Sequence, residues 1–167
     1  SGLASYVLDK SELQPSFVDG GIVPEIHTNA QYKNGKYFIA ELDESDGTIT
    51  KYSPDILVIN NLEEDHIDYY KNGLKDLVKT FETAISKAKK VIVNNDNAGV
   101  NLLKGNFITF GLNNADYTAK NIDFNKNGTC FDIYHNNKLL ISMTISLGGI
   151  HNVYNTLAVV AAINESG

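Results

Sequence analysis

The sequence predicts an α/β protein with a mostly parallel central sheet, flanked by helices, and a small antiparallel β-sheet appended to it. Five short apolar segments lie before residue 114, and three of them are unbroken runs, as expected for parallel strands that are buried on both faces. Over 115–148 the pattern changes to alternating polar and apolar residues, which is typical of antiparallel strands. We therefore assign about 1–114 and a closing helix at 152–165 to the parallel part, and about 115–148 to the antiparallel sheet.

The parallel part begins with a short helix, predicted in SGLASYVLDKSEL and ended before Pro15, because the residue before a proline disfavours helix. Strand candidates follow in this order: 17–18, 36–41, 55–60, 90–94 and 106–110. Between the third and fourth candidates, apolar residues recur at spacings of three and four over 73–90. This spacing predicts an amphipathic crossover helix, and hence a βαβ unit.

The antiparallel part carries two hairpin signals. Residues 117–124 and 130–134 alternate in polarity and are joined by the turn sequence NKNG, and a second turn is expected at HNNK over 135–138. Asparagine and glycine favour the backbone conformations that tight hairpin turns require. The closing helix is indicated by Val153, Leu157 and Val160 at helical spacing.

Length and composition exclude two classes of protein. The chain has 167 residues, of which 43% are hydrophobic and 20% charged, enough for one domain with its own core. No apolar run approaches the roughly 20 residues that a membrane-spanning helix needs, so we expect neither a membrane protein nor a disordered one. Residues 1–14 lack the features of a signal peptide, and the lone Cys130 fits a reducing compartment, which indicates the cytoplasm.

The charge pattern bears on the kind of ligand. The formal net charge is −6, and all 14 basic residues are lysine. Without arginine the chain lacks the bidentate groups that read guanine and grip phosphates, so we expect no nucleic-acid partner. An anionic ligand would have to be bound by backbone amides, a metal ion or lysine.

Acidic side chains follow two of the predicted parallel strands, at the sheet edge where α/β folds bind ligands. Glu41 begins one such segment, ELDESDG, and His66 lies in the other, NLEEDHID. Carboxylates beside an imidazole suit a divalent cation such as Mg²⁺. The alternative is that these loops only cap helices, because acidic residues favour helix N-termini, and that His66 is a solvated loop residue.

A second polar segment, GGIHNVYN, covers 148–155. Its two glycines allow close backbone approach, and Asn152 and Asn155 are three residues apart, on one face of a first helical turn. Paired amides can read the donor and acceptor edge of a purine. The alternative is that Asn152 is only the N-cap of the last helix. The chain contains no G-x-x-x-x-G-K-[ST] motif, so by itself it has no phosphate-cradling loop.

Three segments together resemble the Mur ligases. ELDESDGT from Glu41 and DILVINNLEEDHIDYY ending at Tyr70 resemble the family signatures "EADESDGS" and "TNIEPDHLDYY". GIHNVYNTLA from Gly149 resembles "GxHNxxNxxAA", and the Asn-Ala-Gln segment ending at Gln31 stands where one branch has "NAR" or "HAR". That branch adds L-alanine to UDP-N-acetylmuramate.

The resemblance implies the central, ATP-binding domain of a three-domain cytoplasmic enzyme of peptidoglycan synthesis, with the fold of the P-loop NTPases. Such enzymes use ATP and Mg²⁺ to make an acyl phosphate from the nucleotide sugar's carboxylate, and the amino group of the amino acid then attacks it. Glu41 and His66 would be catalytic magnesium ligands. The resemblance further implies contacts with ATP from His151, Asn152 and Asn155, and with the sugar nucleotide from Asn29, Asp43, Glu44, Ser45 and Asp46.

The sequence departs from the family pattern at three places. The phosphate loop, "GTHGKTT", is expected immediately before Ser1, so we expect no ligase turnover from these 167 residues alone and a dependence on N- and C-terminal domains of a parent chain. Gln31 replaces an arginine. The family spacing places a carbamylated lysine at what is Phe81 here, and the alanine-adding branch also tends to lack that lysine.

Three alternatives remain open at the sequence level. The first is a ligase that attaches recycled murein tripeptide to UDP-N-acetylmuramate, although the segment ESDG at 44–47 favours the alanine-adding branch. The second is a standalone metal-dependent hydrolase that uses Glu41, Asp43, Asp46 and His66. The third is an acidic interaction domain without catalytic activity.

Overall fold

The computed structural model describes residues 1–45, 47–63 and 70–167. Its helices are α1 (Gly2–Lys10), α2 (Leu74–Ile85) and α3 (Ile150–Ser166), with short 3-10 helices at Thr48–Lys51 and Val100–Leu102. Its strands are β1 (Ser16–Val23), β2 (Thr28–Gln31), β3 (Phe38–Ala40), β4 (Ile56–Ile59), β5 (Lys90–Asn94), β6 (Ile108–Gly111), β7 (Tyr117–Asn125), β8 (Gly128–His135) and β9 (Lys138–Ile145). The chain forms two compact units, Ser1–Asp43 and Glu44–Gly167, and each is considered by itself.

The first unit is a three-stranded sheet in the order β2-β1-β3, with α1 packed on β1. β1 pairs with β3 in parallel and with β2 antiparallel, and Phe17 of β1 is fully buried. The predicted strands at 17–18 and 36–41 are therefore confirmed, although β1 is longer than predicted. The sequence did not indicate β2, because its residues TNAQ have no apolar pattern and it is ordered by pairing with β1.

The second unit contains a six-stranded sheet in the order β4-β5-β6-β7-β8-β9. Strands β4 to β7 pair in parallel, and β7, β8 and β9 pair antiparallel. The α/β class is thus confirmed, with two differences. The strands predicted at 17–18 and 36–41 belong to the separate three-stranded sheet, and the antiparallel strands extend the parallel sheet instead of forming a sheet of their own. The parallel and antiparallel strands meet where Tyr117 of β7 pairs with Phe110 of β6. Beside this pair, the Thr109 amide donates to the Asp116 carboxylate, and the Asp116 amide donates to the Thr109 hydroxyl.

Alternate residues of β5 face two separate cores. Ile92 packs in the cluster that includes Val153 and Leu157 of α3, whereas Val91 and Val93 pack in the cluster that includes Leu77 of α2. Since successive side chains of a strand point to opposite faces, α2 and α3 cover opposite faces of the parallel sheet. This confirms, for β5, the prediction of strands that are buried on both faces, whereas β4 is an edge strand with Val58 exposed. α2 ends at Ile85, earlier than the predicted 90, and α3 begins two residues before the predicted 152.

The hairpin turns agree with the sequence. Asn125 pairs with Gly128 and His135 with Lys138, as predicted for NKNG and HNNK. Asn136 and Asn137 both have positive φ, 49° and 64°, which matches the twist of the flanking strands in a two-residue turn. Among the helices of the described residues, none is long and apolar enough to cross a membrane.

Asparagine side chains join the loops at the carboxyl edge of the parallel strands. The Asn97 side-chain oxygen accepts hydrogen bonds from the backbone amides of Leu62 (3.2 Å) and Val100 (2.9 Å), which ties the loop after β4 to the loop after β5. At Gly99 the two loops touch, because a Cβ there would lie 1.8 Å from the Leu62 carbonyl oxygen. The shape of this edge therefore depends on a glycine and an asparagine as well as on the burial of Leu62 and Val100.

We expect Gly99→Ala to lower the free energy of unfolding by about 1–3 kcal/mol, the usual cost of overpacking a tight contact. Urea denaturation of the variant and the wild type measures the difference. Gly21→Ala is the matched control, because a Cβ at Gly21 meets no atom within 4 Å. Equal losses of stability in the two variants would contradict a role for the contact with Leu62.

The last turn of α3 is held by a polar cluster. Lys90 donates to Glu165 (Nζ to Oε2, 2.9 Å), and the Tyr117 hydroxyl donates to the other Glu165 oxygen at 2.9 Å. The hydrogen bond from Lys90 is the largest cause of a lowered pKa for Glu165. Burial is the main reason that the pKa of Tyr117 rises to about 12, and the His135 ring stacks on Tyr117 with 4.3 Å between ring centroids.

The lowered pKa of Glu165 predicts a pH dependence of stability. A carboxyl group whose pKa is lower in the folded than in the unfolded protein stabilises the fold at pH values above its unfolded pKa, near 4.5. This stabilisation is lost as the pH falls through the folded pKa. Glu165→Gln should therefore destabilise the protein at pH 7 and match the wild type at low pH. Urea denaturation of both proteins at pH values between roughly 3 and 7 measures the difference in their free energies of unfolding. Glu82→Gln, on α2, is the control. A difference between Glu165→Gln and the wild type that does not change with pH would contradict the prediction.

Candidate functional site

Glu41 follows directly after β3, and its carboxylate is bound by two neutral donors. The Ser1 hydroxyl, at the N-terminus of α1, donates to Oε2, and the Gly20 amide of β1 donates to the same oxygen at 3.1 Å. These hydrogen bonds, that of Ser1 first, lower the pKa of Glu41. The positive charge of the Ser1 α-amino group also lowers this pKa, by less than the hydrogen bonds do, and the side chain is exposed and ionised at neutral pH.

Gly20 leaves the space that this carboxylate occupies. A Cβ on Gly20 would lie 3.2 Å from Oε1 of Glu41, closer than most real Cβ contacts. The negative charge of Asp43 acts in the opposite direction, raising the pKa of Glu41 by less than the hydrogen bonds lower it. Glu41 and Asp43 therefore form a local centre of negative charge in the first unit.

The chemistry of this centre fits Mg²⁺, which prefers carboxylate oxygens. His66, the second predicted ligand, and Asp46 of the acidic loop lie outside the described residues. Within 1–45, 47–63 and 70–167, no three His, Cys, Asp or Glu side chains are grouped closely enough to hold a metal ion. The described part of the chain thus presents the carboxylate of Glu41, and its role as a magnesium ligand together with His66 stays a prediction.

The predicted sugar-nucleotide residues fall in both units. Asn29 lies exposed on β2 in the first unit, where Asp43 is also exposed. In the second unit, Glu44 and Ser45 belong to a turn in which the Gly47 amide donates to the Glu44 carbonyl at 2.9 Å and the Tyr70 hydroxyl donates to the same carbonyl.

Gln31, which stands at the arginine position of the family segment, has a structural partner. Its side-chain amide donates to Asp9 of α1 at 2.8 Å and to the Pro15 carbonyl at 3.3 Å. The hydrogen bond from Gln31, followed by that from Lys33, lowers the pKa of Asp9. In this chain the position ties β2 to α1.

The segment before α3 brings His151 and Asn152 together. Gly149 has φ 92°, and a Cβ there would lie 2.7 Å from the His151 ring, so glycine permits both the backbone turn and the folded-back imidazole. The Asn152 side-chain nitrogen donates to the Gly148 carbonyl at 2.7 Å and lies 3.1 Å from Nε2 of His151.

This geometry corrects one alternative from the sequence. The N-cap of α3 is Gly149, without a side-chain cap, so Asn152 is not the N-cap. Asn155 lies one turn further along α3 and is half-buried, and its side chain makes no hydrogen bond with any residue that the structure describes.

Tyr154 fixes the first turn of α3 to the carboxyl edge of the sheet. Its hydroxyl donates to Oδ2 of Asp96, in the loop after β5, at 3.0 Å, and the Leu112 amide after β6 donates to the same oxygen at 2.5 Å. Burial, followed by the hydrogen bond to Asp96, raises the pKa of Tyr154 to about 12. The sequence analysis missed this pair, because no spacing rule links residues that lie 58 positions apart.

The fold and the sequence of this chain are similar to those of known proteins. A family model described as "Mur ligase middle domain" matches residues 15–163. The UDP-N-acetylmuramate–L-alanine ligase of Dictyoglomus turgidum is 37% identical over 169 residues, which cover 96% of this chain and 36% of that protein. The chain thus spans about a third of the length of the curated relatives it matches.

Solved structures give the same result. The crystal structure of the UDP-N-acetylmuramate–alanine ligase of Thermotoga maritima matches with a TM-score of 0.89 and 28% identity, over 99% of this chain and 38% of that one. The MurF ligase of Thermotoga maritima, solved in complex with ADP, matches with a TM-score of 0.71 and 16% identity over 98% of this chain and 42% of that one, which shows the fold alone. Because the family model spans most of the sequence and the relatives align along nearly all of it, this chain belongs to the Mur ligase family, in the part that forms its middle domain.

Proposed function

We propose that the protein containing this chain is a cytoplasmic, ATP-dependent ligase that joins L-alanine to UDP-N-acetylmuramate, and that this chain supplies its nucleotide- and magnesium-binding part. The observation that carries the proposal is the ionised carboxylate of Glu41, held at the end of β3 by Ser1 and Gly20. The similarity to relatives named for this activity supports it. The same relatives do not favour the murein tripeptide ligase, the hydrolase or the interaction domain.

The proposed reaction is a phosphoryl transfer followed by amide formation. The carboxylate of UDP-N-acetylmuramate attacks the γ-phosphorus of ATP, which forms an acyl phosphate and releases ADP. The amine of L-alanine then attacks the acyl carbon, displaces phosphate and loses a proton to give the amide. Catalysis of the first step depends on positioning and on electrostatic stabilisation, and needs no protein nucleophile. Mg²⁺ held by Glu41 and His66 would neutralise charge on the phosphate oxygens.

The residues of this chain have distinct tasks in the proposal. Ser1 and Gly20 hold Glu41 ionised and oriented without cancelling its charge, so the carboxylate can bind a cation. His151, Asn152 and Asn155 bind the nucleotide at the start of α3, a location that Tyr154 and Asp96 support by anchoring the first turn at the carboxyl edge. The proposed contacts with the sugar nucleotide come from Asn29, Asp43, Glu44, Ser45 and Asp46.

Other parts of the same enzyme would complete the site. The relatives are about three times as long as the matched segment, so we propose that N- and C-terminal domains contribute the remaining contacts with both substrates. L-alanine is one of these substrates, and its binding would depend mostly on those domains.

Glu41→Gln tests the magnesium role. In the full-length enzyme we expect it to reduce phosphate release that depends on UDP-N-acetylmuramate and L-alanine by about 100-fold or more, because a preorganised charge at the transferred phosphoryl group is lost. The Mg²⁺ concentration needed for half-maximal rate should also rise. Glu12→Gln, an exposed carboxylate of the same unit, is the control. An unchanged rate and an unchanged Mg²⁺ requirement in Glu41→Gln would refute the assignment.

Asn155→Ala tests the nucleotide role. Loss of one amide contact should weaken ATP binding by roughly 3- to 10-fold, which is the value of a typical net hydrogen bond. Isothermal titration calorimetry with ATP measures this, and Asn106→Ala, at an exposed position before β6, is the control. If ATP binds both variants with the wild-type affinity, Asn155 does not contact the nucleotide.

A further inference from the structure

Tyr70 connects the core of the second unit to the loop that carries Glu44 and Ser45. Its side chain is 2% exposed and packs in the apolar cluster that includes Leu77 of α2 and Val93 of β5. Its hydroxyl donates a hydrogen bond to the backbone carbonyl of Glu44, 26 positions earlier in the chain. None of the functional roles considered so far uses this hydroxyl.

The position of Tyr70 is set by the start of α2. The Gly73 amide donates to the Tyr70 carbonyl at 2.8 Å, and the Gly73 carbonyl accepts hydrogen bonds from the amides of Asp76 (3.1 Å) and Leu77 (3.3 Å) in the first turn of the helix. The side chain of Leu77 is buried in the same cluster as the Tyr70 ring. Because both the backbone and the ring of Tyr70 are held, its hydroxyl is a donor with a fixed position.

The carbonyl of Glu44 is the point at which this loop is fixed. The Gly47 amide donates to it at 2.9 Å, and Gly47 has φ 71°, a left-handed conformation that favours glycine. The Gly47 carbonyl in turn accepts hydrogen bonds from the Thr50 amide (3.1 Å) and the Thr50 hydroxyl (2.9 Å). Glu44 therefore begins a closed turn, and the hydrogen bond from Tyr70 ties that turn to the apolar core.

We propose that Tyr70 is a positioning residue for the sugar nucleotide, whose hydroxyl holds the turn in the conformation in which Glu44 and Ser45 contact this substrate. The inference rests on the contacts proposed above for Glu44 and Ser45. Phenylalanine would fill the same space in the core, so the contribution of the hydroxyl is its hydrogen bond to the loop. A loop that is held in its binding conformation before the substrate arrives loses less entropy on binding, which increases the affinity.

Steady-state kinetics of the full-length enzyme test the proposal. Tyr70→Phe keeps the ring in the core and removes the hydrogen bond to Glu44. We expect the KM for UDP-N-acetylmuramate to rise by roughly 3- to 10-fold, the value of a typical net hydrogen bond. Because the loss of an interaction that acts on substrate binding alone raises KM without lowering kcat, kcat and the KM for ATP should keep their wild-type values.

Two further variants complete the test. Gly47→Ala perturbs the same turn from its other end, because alanine is strained at φ 71°, and it should raise the KM for UDP-N-acetylmuramate as well. Tyr117→Phe is the matched control, since Tyr117 is also a fully buried tyrosine, but its hydroxyl donates to Glu165 in the last turn of α3. This variant should lose stability, measured by thermal denaturation, and keep the wild-type KM.

The outcomes separate this inference from the proposed function. If the wild-type enzyme does not use UDP-N-acetylmuramate, the proposed function fails and the inference fails with it. If the wild type uses it, a wild-type KM in folded Tyr70→Phe refutes only the inference, and a wild-type KM in Gly47→Ala does so if Tyr70→Phe does not fold. An equal rise of this KM in Tyr117→Phe, or a parallel rise of the KM for ATP, would also refute the inference, because the effect would then reflect a general loss of stability.

Discussion

Helix α3 buries one face along the middle of the six-stranded sheet, and the second unit depends on this packing. Val153, Leu157 and Ala161, four residues apart, are fully buried against Ile92 and Phe110 of the parallel strands, and against Tyr117, Phe131 and Ile133 of the antiparallel ones. A single apolar stripe thus covers the junction at which strand direction changes. Burial of a large apolar side chain contributes about 1.5–3 kcal/mol, so this interface stabilises the sheet across the junction between its parallel and antiparallel strands.

Both ends of α3 are fixed by polar contacts with the loops and strands beneath it. At the first turn of α3, Asp96 accepts a hydrogen bond from the Tyr154 hydroxyl. At the last turn, the Lys90 ammonium donates to the Glu165 carboxylate. A helix held at two ends has little freedom to slide along the sheet, so the residues of its first turn keep a defined position at the carboxyl edge. This is the physical basis for proposing a nucleotide site at His151, Asn152 and Asn155.

Two carboxylates of the first unit, Asp9 and Glu41, have a lowered pKa for different reasons. Asp9 accepts hydrogen bonds from Gln31 and also from the Lys33 ammonium at 2.6 Å, so its charge is largely cancelled. Glu41 has a lowered pKa too, but its donors are the neutral Ser1 hydroxyl and Gly20 amide. Its negative charge is therefore stabilised by neutral donors, which is what the proposed role as a magnesium ligand requires.

Local patterns in the sequence determined the strands of the parallel sheet, α2, α3, both hairpin turns and the family, because each of these depends on residues close together along the chain. Only the tertiary structure decided that β2 is a strand, that β7 joins the parallel sheet, and that Asn152 bonds Gly148 instead of capping α3. The contacts of Asn97 with Leu62 and of Asp96 with Tyr154 could not be predicted from the sequence either, because the two residues of each pair lie 35 and 58 positions apart. Periodicity reports which face of an element is buried, but the partner that covers that face is selected by packing across the whole chain.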